Sequence, residues 1–162
     1  MPTLETINNH AAALYRLAFL LTGDRAWSLD VTLEAIDSHD GEESFFSSWV
    51  VAWSHKVVIA RALAGIRDDI VVSARRTASR RDEKIALPRR DWILDPDTTL
   101  DKIESAVLGI DAFPRCALLL TLFEKVSVDA AAVLLDEDRD LVRKGQVIGL
   151  RELTGNLARM QG

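Results

Sequence analysis

The sequence predicts an all-α protein made of two small helical domains. Apolar residues recur at intervals of three and four on both sides of a middle segment rich in Pro and Arg, and this is the spacing of helices that bury one face. Only four prolines and eight glycines interrupt the 162 residues, a composition that favours helix. We therefore expect a helical domain at residues 1–70, a basic connector at 71–98 and a second helical domain at 99–162.

Three helices are predicted in the first domain, at about residues 6–21, 25–38 and 44–66. Gly23 follows the first of them and suits the left-handed position at a helix C-terminus. The buried faces are assigned to apolar residues at helical spacing. These are Ile7, Ala11, Leu14, Ala18 and Leu21 in the first helix, Trp27, Leu29, Leu33 and Ile36 in the second, and Phe46, Val50, Trp53, Val57, Ala60 and Ala64 in the third.

The connector is the only basic part of an acidic chain. The formal net charge of the chain is −5, yet residues 71–99 carry seven Lys/Arg and five Asp/Glu. Residues 71–86 have the composition of a helix, and Pro88 and Pro96 disfavour helix in the residues before them. A nucleic-acid-binding protein usually has a basic surface, so the overall charge argues against simple nucleic-acid binding and the connector argues for it.

Four helices are predicted in the second domain, at about residues 100–110, 115–124, 128–134 and 138–159. Ser127 is placed to cap the third of them, because serine is a favoured residue just before a helix. The last two helices, short then long and joined by a tight turn, have the layout of a helix-turn-helix.

Neither catalysis nor metal binding is expected. His10, His39 and His55 are scattered, and none has a second ligand three or four residues away. The sequence contains no glycine-rich phosphate loop, and the lone Cys116 is expected to be a buried small apolar residue. The longest apolar runs fall far short of the ~20 residues of a membrane span, and residues 1–10 lack the basic start of a secretory signal. We expect a cytoplasmic protein that needs no cofactor.

Several segments of the first domain resemble the extracytoplasmic-function class of bacterial sigma factors. Residues 14–24, Leu-Tyr-Arg-Leu-Ala-Phe-Leu-Leu-Thr-Gly-Asp, look like the opening helix of these proteins. Residues 30–35, Asp-Val-Thr-Leu-Glu-Ala, are similar to the family's Asp-x-x-Gln-Glu-Ala run. Residues 46–67 resemble the next long helix, with Trp49 at the family's Trp position. The resemblance implies a region 2-like bundle of three helices.

The second domain is also similar to that family. Phe113-Pro114, the Leu-Leu-Leu run at 118–120 and the Asp-Ala-Ala-Ala-Val-Leu run at 129–134 resemble the second sigma domain. The resemblance implies a region 4-like domain of four helices, in which residues 139–151 would be the recognition helix of the helix-turn-helix. It extends over nearly the whole chain.

The resemblance implies two partners, RNA polymerase core and promoter DNA, together with a possible anti-sigma factor. The polymerase-docking residues would be Asp30, Glu34 and Asp37. The DNA-binding residues would be Trp49, His55 and Lys56 in the third helix, Arg75, Arg76, Arg80 and Arg81 in the connector, and Arg139, Arg143, Lys144, Gln146 and Arg151 in the last helix. Each set has a structural alternative: a solvated acidic face, tryptophans that anchor the core, and a connector helix that keeps the chain soluble.

The sequence departs from the family pattern at several positions. Leu33 stands where the family has glutamine, and Asp68-Asp69 replace a basic helix end. Leu135 stands at the turn glycine of the helix-turn-helix, where a left-handed backbone would cost roughly 1–2 kcal/mol. The recognition helix opens among four acidic residues. They are Asp136, Glu137, Asp138 and Asp140.

Two functions therefore remain open. The first is a sigma-factor-like transcription regulator that binds RNA polymerase core and promoter DNA, and the basic connector and near-complete layout favour it. The second is a sigma mimic that binds an anti-sigma factor or another protein without reading promoter DNA, and the acidic residues favour it. Because only three cations face the four anions within residues 136–144, we expect weak binding of duplex DNA by residues 99–162.

Overall fold

The computed structural model describes residues 4–37, 48–81 and 99–160, and of residues 4–8, 37 and 48–51 it describes the backbone alone. Within these residues the chain forms eight α-helices and one π-helical turn, and no strand. The prediction of an all-α protein is therefore confirmed. None of the helices is long and apolar enough in this part of the chain to cross a membrane. The chain divides into two compact units, Met1–Arg67 and Asp68–Gly162.

The first unit contains three helices that all contact one another. They are α1 (Leu4–Thr22), α2 (Arg25–Asp37) and α3 (Ser48–Gly65). Gly23 has a positive φ of 72°, so it ends α1 as expected. The Asp24 carboxylate then caps α2 by accepting a hydrogen bond of 2.9 Å from the backbone N–H of Trp27.

The buried face of α1 agrees with the prediction at three of its residues, but that of α2 does not. Leu14, Ala18 and Leu21 are fully buried. In α2 the predicted contacts Leu29 and Leu33 remain 51% and 49% exposed, which corrects the prediction. The side chains buried in α2 are instead small. They are Ser28, Val31, Thr32 and Ala35, and two of them, Ser28 and Thr32, are polar. The two hydroxyls donate to backbone carbonyls one turn earlier, which removes the cost of burying them.

Helix α3 buries a face one residue away from the predicted one. The buried side chains are Ser54, Val58, Ile59, Ala62 and Leu63. Trp53 is 37% exposed, and Ala60 and Ala64 are exposed. The buried face includes the polar Ser54, which a pattern of apolar residues alone does not indicate. Phe46 lies outside the described residues, as do the side chains of Ile7 and Val50.

The second unit contains five α-helices and the π-helical turn. They are α4 (Arg67–Ser79), α5 (Leu100–Leu108), α6 (Ala112–Leu118), the π-helical turn (Leu119–Phe123), α7 (Val128–Leu135) and α8 (Arg139–Met160). Helix α4 covers the first part of the segment assigned to a connector. It groups with the second unit, and the buried Ser73 hydroxyl accepts a hydrogen bond of 2.8 Å from the backbone N–H of Phe113. Residues 82–98 of the expected connector lie outside the described residues.

Short polar side chains flank the turn that joins α7 to α8 and cap α7. The Ser127 hydroxyl caps α7 as predicted, accepting a hydrogen bond of 3.1 Å from the N–H of Ala130. The left-handed residue of the turn is Asp136, with φ 53° and ψ 46°, and not Leu135, which is buried. This corrects the expected strain at the leucine, because aspartate is one of the few residue types that adopt this conformation readily.

The main contact of the second unit is the crossing of α6 over α8. Phe113 is fully buried at this crossing. Two glycines of α8 let the helices approach closely: a Cβ at Gly145 would lie 2.9 Å from the Phe113 ring, and one at Gly149 would lie 2.7 Å from the carbonyl oxygen of Pro114. The spacing of four residues between these two glycines places both on one face of α8.

Candidate functional site

The exposed face of α2 is the candidate docking surface. Leu29 and Leu33, about half exposed, form one row along the helix, and the exposed Asp30 and Glu34 form the next, because residues four apart lie above one another. Glu34 forms an ion pair of 2.7 Å with Arg61 of α3. Sequence reasoning identified the two acidic residues but assigned the leucines to the core.

The predicted DNA-binding residues of α3 do not form a single cluster. Lys56 is exposed, whereas His55 is half-buried and faces His10 of α1, with 6.3 Å between the ring centroids. Trp49 belongs to α3, but its side chain lies outside the described part of the structure, as does that of Asp37, the last residue of α2.

The His10–His55 pair is expected to make the first unit sensitive to acid. Burial, and secondly the nearby charge of His55, lower the pKa of His10 below its ordinary value of 6.5. Protonation of His10 therefore favours the unfolded chain, and stability should fall as the pH drops through about 6.5 and below. Denaturant unfolding at a series of pH values measures this. The His10→Gln variant should lose most of the pH dependence of stability. The His55→Gln variant should lose less of it, since burial is the larger cause of the lowered pKa of His10. An unchanged pH profile of stability in His10→Gln would contradict this prediction.

Two of the four arginines predicted in the connector, Arg76 and Arg80, are bound to acidic residues of the same unit. The Arg76 guanidinium donates two hydrogen bonds to the Asp111 carboxylate, of 2.9 and 2.7 Å. These bonds hold the pKa of Asp111 below its ordinary value. Arg80 donates a bond of 2.8 Å to Glu152 of α8. The geometry of Arg76 is the bidentate one, which orients as well as attracts, so both arginines attach α4 to the rest of the unit.

Arg75 and Arg81 are placed differently. Both side chains are exposed, and neither forms an ion pair with any residue in the described ranges. Arg76 and Arg80, by contrast, are paired with Asp111 and Glu152. The sequence could not separate these two pairs.

The cations of the predicted recognition helix are also divided. Arg139 pairs with Asp129 of α7 at 3.2 Å. The Lys144 ammonium donates to the backbone carbonyls of Ala78 and Arg80, the groups that a helix end leaves unsatisfied. The remaining three predicted residues lie further along or around α8: Arg143 and Arg151 are exposed and Gln146 is half-buried.

The acidic residues at the start of α8 have structural roles. Asp136 occupies the left-handed turn position. The Asp138 carboxylate caps α8 by accepting a hydrogen bond of 2.8 Å from the N–H of Leu141, and a carboxylate is favourable at a helix N-terminus. These acids stabilise the turn and the start of α8 and, at the same time, place negative charge at the end of this helix that a helix-turn-helix protein would insert into the major groove.

An open groove lies where the end of α4 meets the first half of α8. Its lining residues are Ala78, Asp138, Asp140, Leu141, Arg143, Lys144 and Val147. Four of the seven are charged, two of each sign, and Arg143 and Lys144 come from the same turn of α8.

The described residues contain few groups suited to chemistry. Cys116 is fully buried, and burial raises the pKa of its thiol to about 12, so the reactive thiolate is scarce at neutral pH. Within the three described ranges, no group of three or more His, Cys, Asp or Glu side chains is placed to hold a metal ion.

The comparisons with known proteins add no relative from which a function could be carried over. No family model, no curated protein and no solved structure matches this chain.

Proposed function

We propose that the protein is a sigma-factor-like transcription regulator that docks on RNA polymerase core through the exposed face of α2. In this proposal the first unit corresponds to a region 2-like bundle and α7 with α8 to a region 4-like helix-turn-helix. The observation that carries it is the exposure of Leu29 and Leu33 beside Asp30 and Glu34. This is the segment that resembles the polymerase-docking helix of the family.

The mixed character of this face suits a protein partner. Adjacent half-exposed leucines can be covered by an apolar surface, and removing apolar area from water contributes about 25 cal/mol per Å². The neighbouring carboxylate of Asp30 would favour a partner with basic residues around that surface and would mainly increase its association rate. Leu33, at the position of the family's glutamine, exchanges a polar contact for an apolar one.

A capture experiment with purified RNA polymerase core tests the docking proposal. The full-length Leu29→Ala/Leu33→Ala variant should bind core at least about tenfold more weakly, which corresponds to about 1.4 kcal/mol. The Val71→Ala/Val72→Ala variant is the matched control, because those residues of α4 are also partly exposed, at 38% and 48%. Its binding should equal that of the wild type. Equal binding by all three proteins would refute docking through α2.

A second candidate is the sigma mimic, and the contacts that the cations of α8 make within the second unit favour it. Arg139 is bound to Asp129 and Lys144 to the end of α4, while Asp138 and Asp140 stand at the start of α8. Two of the three cations in the first half of the recognition helix are thus engaged inside the protein. A mimic would keep the sigma-like surface for an anti-sigma factor and would need no base contacts.

Selection of genomic DNA fragments separates the two candidates. The complex of the full chain with RNA polymerase core is incubated with fragments and compared with core alone. Enrichment of a shared sequence motif would support the promoter-reading regulator. Absence of enrichment, together with direct binding of a purified anti-sigma factor, would support the mimic.

A further inference from the structure

We propose that the second unit carries a sequence-independent binding surface for the phosphate backbone of nucleic acids, formed by Arg75 and Arg81 at the end of α4 and Arg143 of α8. The partner class is a polyanion with regularly spaced phosphates. The inference concerns a surface separate from the docking face of α2, and it does not require base reading by α8.

The end of α4 is fixed beside α8 by three polar links. Arg80 donates to Glu152 of α8, and Lys144 of α8 donates to the carbonyls of Ala78 and Arg80. Because these links involve both residue 78 and residue 80, they fix the position of the last turn of α4 and keep it in contact with α8. The basic end of α4 and the first half of α8 therefore form one continuous surface.

Three exposed arginines lie at or next to this junction. Arg75 lies three residues before Ala78, which lines the groove, and residues three apart are neighbours on a helix surface. Arg81 directly follows Arg80, whose carbonyl is bound by Lys144. Arg143 lines the groove from the α8 side. Lys144 adds a fourth positive charge at the junction.

The distribution of charge favours backbone contact over base contact. Asp138 and Asp140 lie at the N-terminal end of α8, the end that would enter a major groove. Arg143 lines the same groove as these two acids, and Arg75 and Arg81 come from α4 and the residues just after it. Phosphate contacts carry no sequence information by themselves, so a surface of this kind binds nucleic acid without preference for a sequence.

Fluorescence anisotropy with labelled DNA duplexes tests this surface in the full-length protein. Two duplexes of equal length and unrelated sequence should bind equally well, and more weakly as salt increases. Arg75→Ala/Arg81→Ala should weaken binding at least about tenfold at low salt and reduce the slope of log K against log salt by about 2, since each phosphate contact contributes about 0.9. Arg75→Lys/Arg81→Lys keeps the charges and should retain the slope.

The control variant is Lys102→Ala/Arg159→Ala. It changes the net charge of the same unit by the same amount, and Arg159 lies 16 residues beyond Arg143 in α8, about 24 Å along a helix. This control should leave the salt slope unchanged. An equal loss of DNA binding in both alanine double variants would show that net charge alone explains the effect, and it would overturn the proposal. Absence of binding at low salt, or clear preference for one duplex, would also overturn it, and neither result bears on the capture of RNA polymerase core through α2.

Discussion

Replacing Phe113 by alanine is expected to destabilise the second unit by about 3–5 kcal/mol, the range for deleting a buried aromatic side chain. Phe113 is completely buried and lies against Gly145 at the crossing of α6 and α8. Because glycine offers no side chain that could move into the space, the cavity left by the ring would stay largely open. Urea denaturation followed by far-UV circular dichroism measures the change.

Trp53→Ala is the informative comparison for Phe113→Ala. From the sequence alone, Trp53 was expected to anchor the core of the first unit, and its removal would then cost a similar amount. The structure leaves 37% of Trp53 exposed, so a smaller loss is expected, below about 3 kcal/mol. A loss from Phe113→Ala no larger than that from Trp53→Ala would contradict the assignment of Phe113 to the centre of its core.

The fold class was predictable because helical periodicity needs only the sequence. The face of each helix was predictable only where apolar residues form a single stripe, as Leu14, Ala18 and Leu21 do in α1. In α2 and α3 the buried faces include hydroxyl residues such as Thr32, whose hydrogen bond to the carbonyl of Ser28 is local and invisible to an apolar pattern. For this reason the apolar pattern assigns the exposed Leu29 and Leu33 of α2 to the core.

The residue types of the candidate surfaces were predictable from the sequence, but which arginines pair with acidic residues was not. Arg75, Arg76, Arg80 and Arg81 read alike in the sequence. What separates them is the position of acids 35 and 72 residues away, since Asp111 binds Arg76 and Glu152 binds Arg80. Such long-range partners depend on how the helices pack.

Gly149→Ala is expected to destabilise the second unit by about 1–3 kcal/mol, the usual cost of overpacking a core. A Cβ at this position would lie 2.7 Å from the backbone carbonyl oxygen of Pro114 and 3.1 Å from Cβ of Leu118. A backbone atom of α6 cannot turn aside as a flexible side chain can, so α6 and α8 would have to separate.

Gly155→Ala is the matched control for Gly149→Ala, because both glycines lie in α8 and both variants add one methyl group. A Cβ at Gly155 would meet no atom within 4 Å. There the only effect is the better helix propensity of alanine, which should stabilise the protein by about 0.5–1 kcal/mol. The two substitutions should therefore change the free energy of unfolding in opposite directions. Stabilisation by both substitutions in urea denaturation would show that α6 and α8 do not cross as closely at Gly149 as the structure has them.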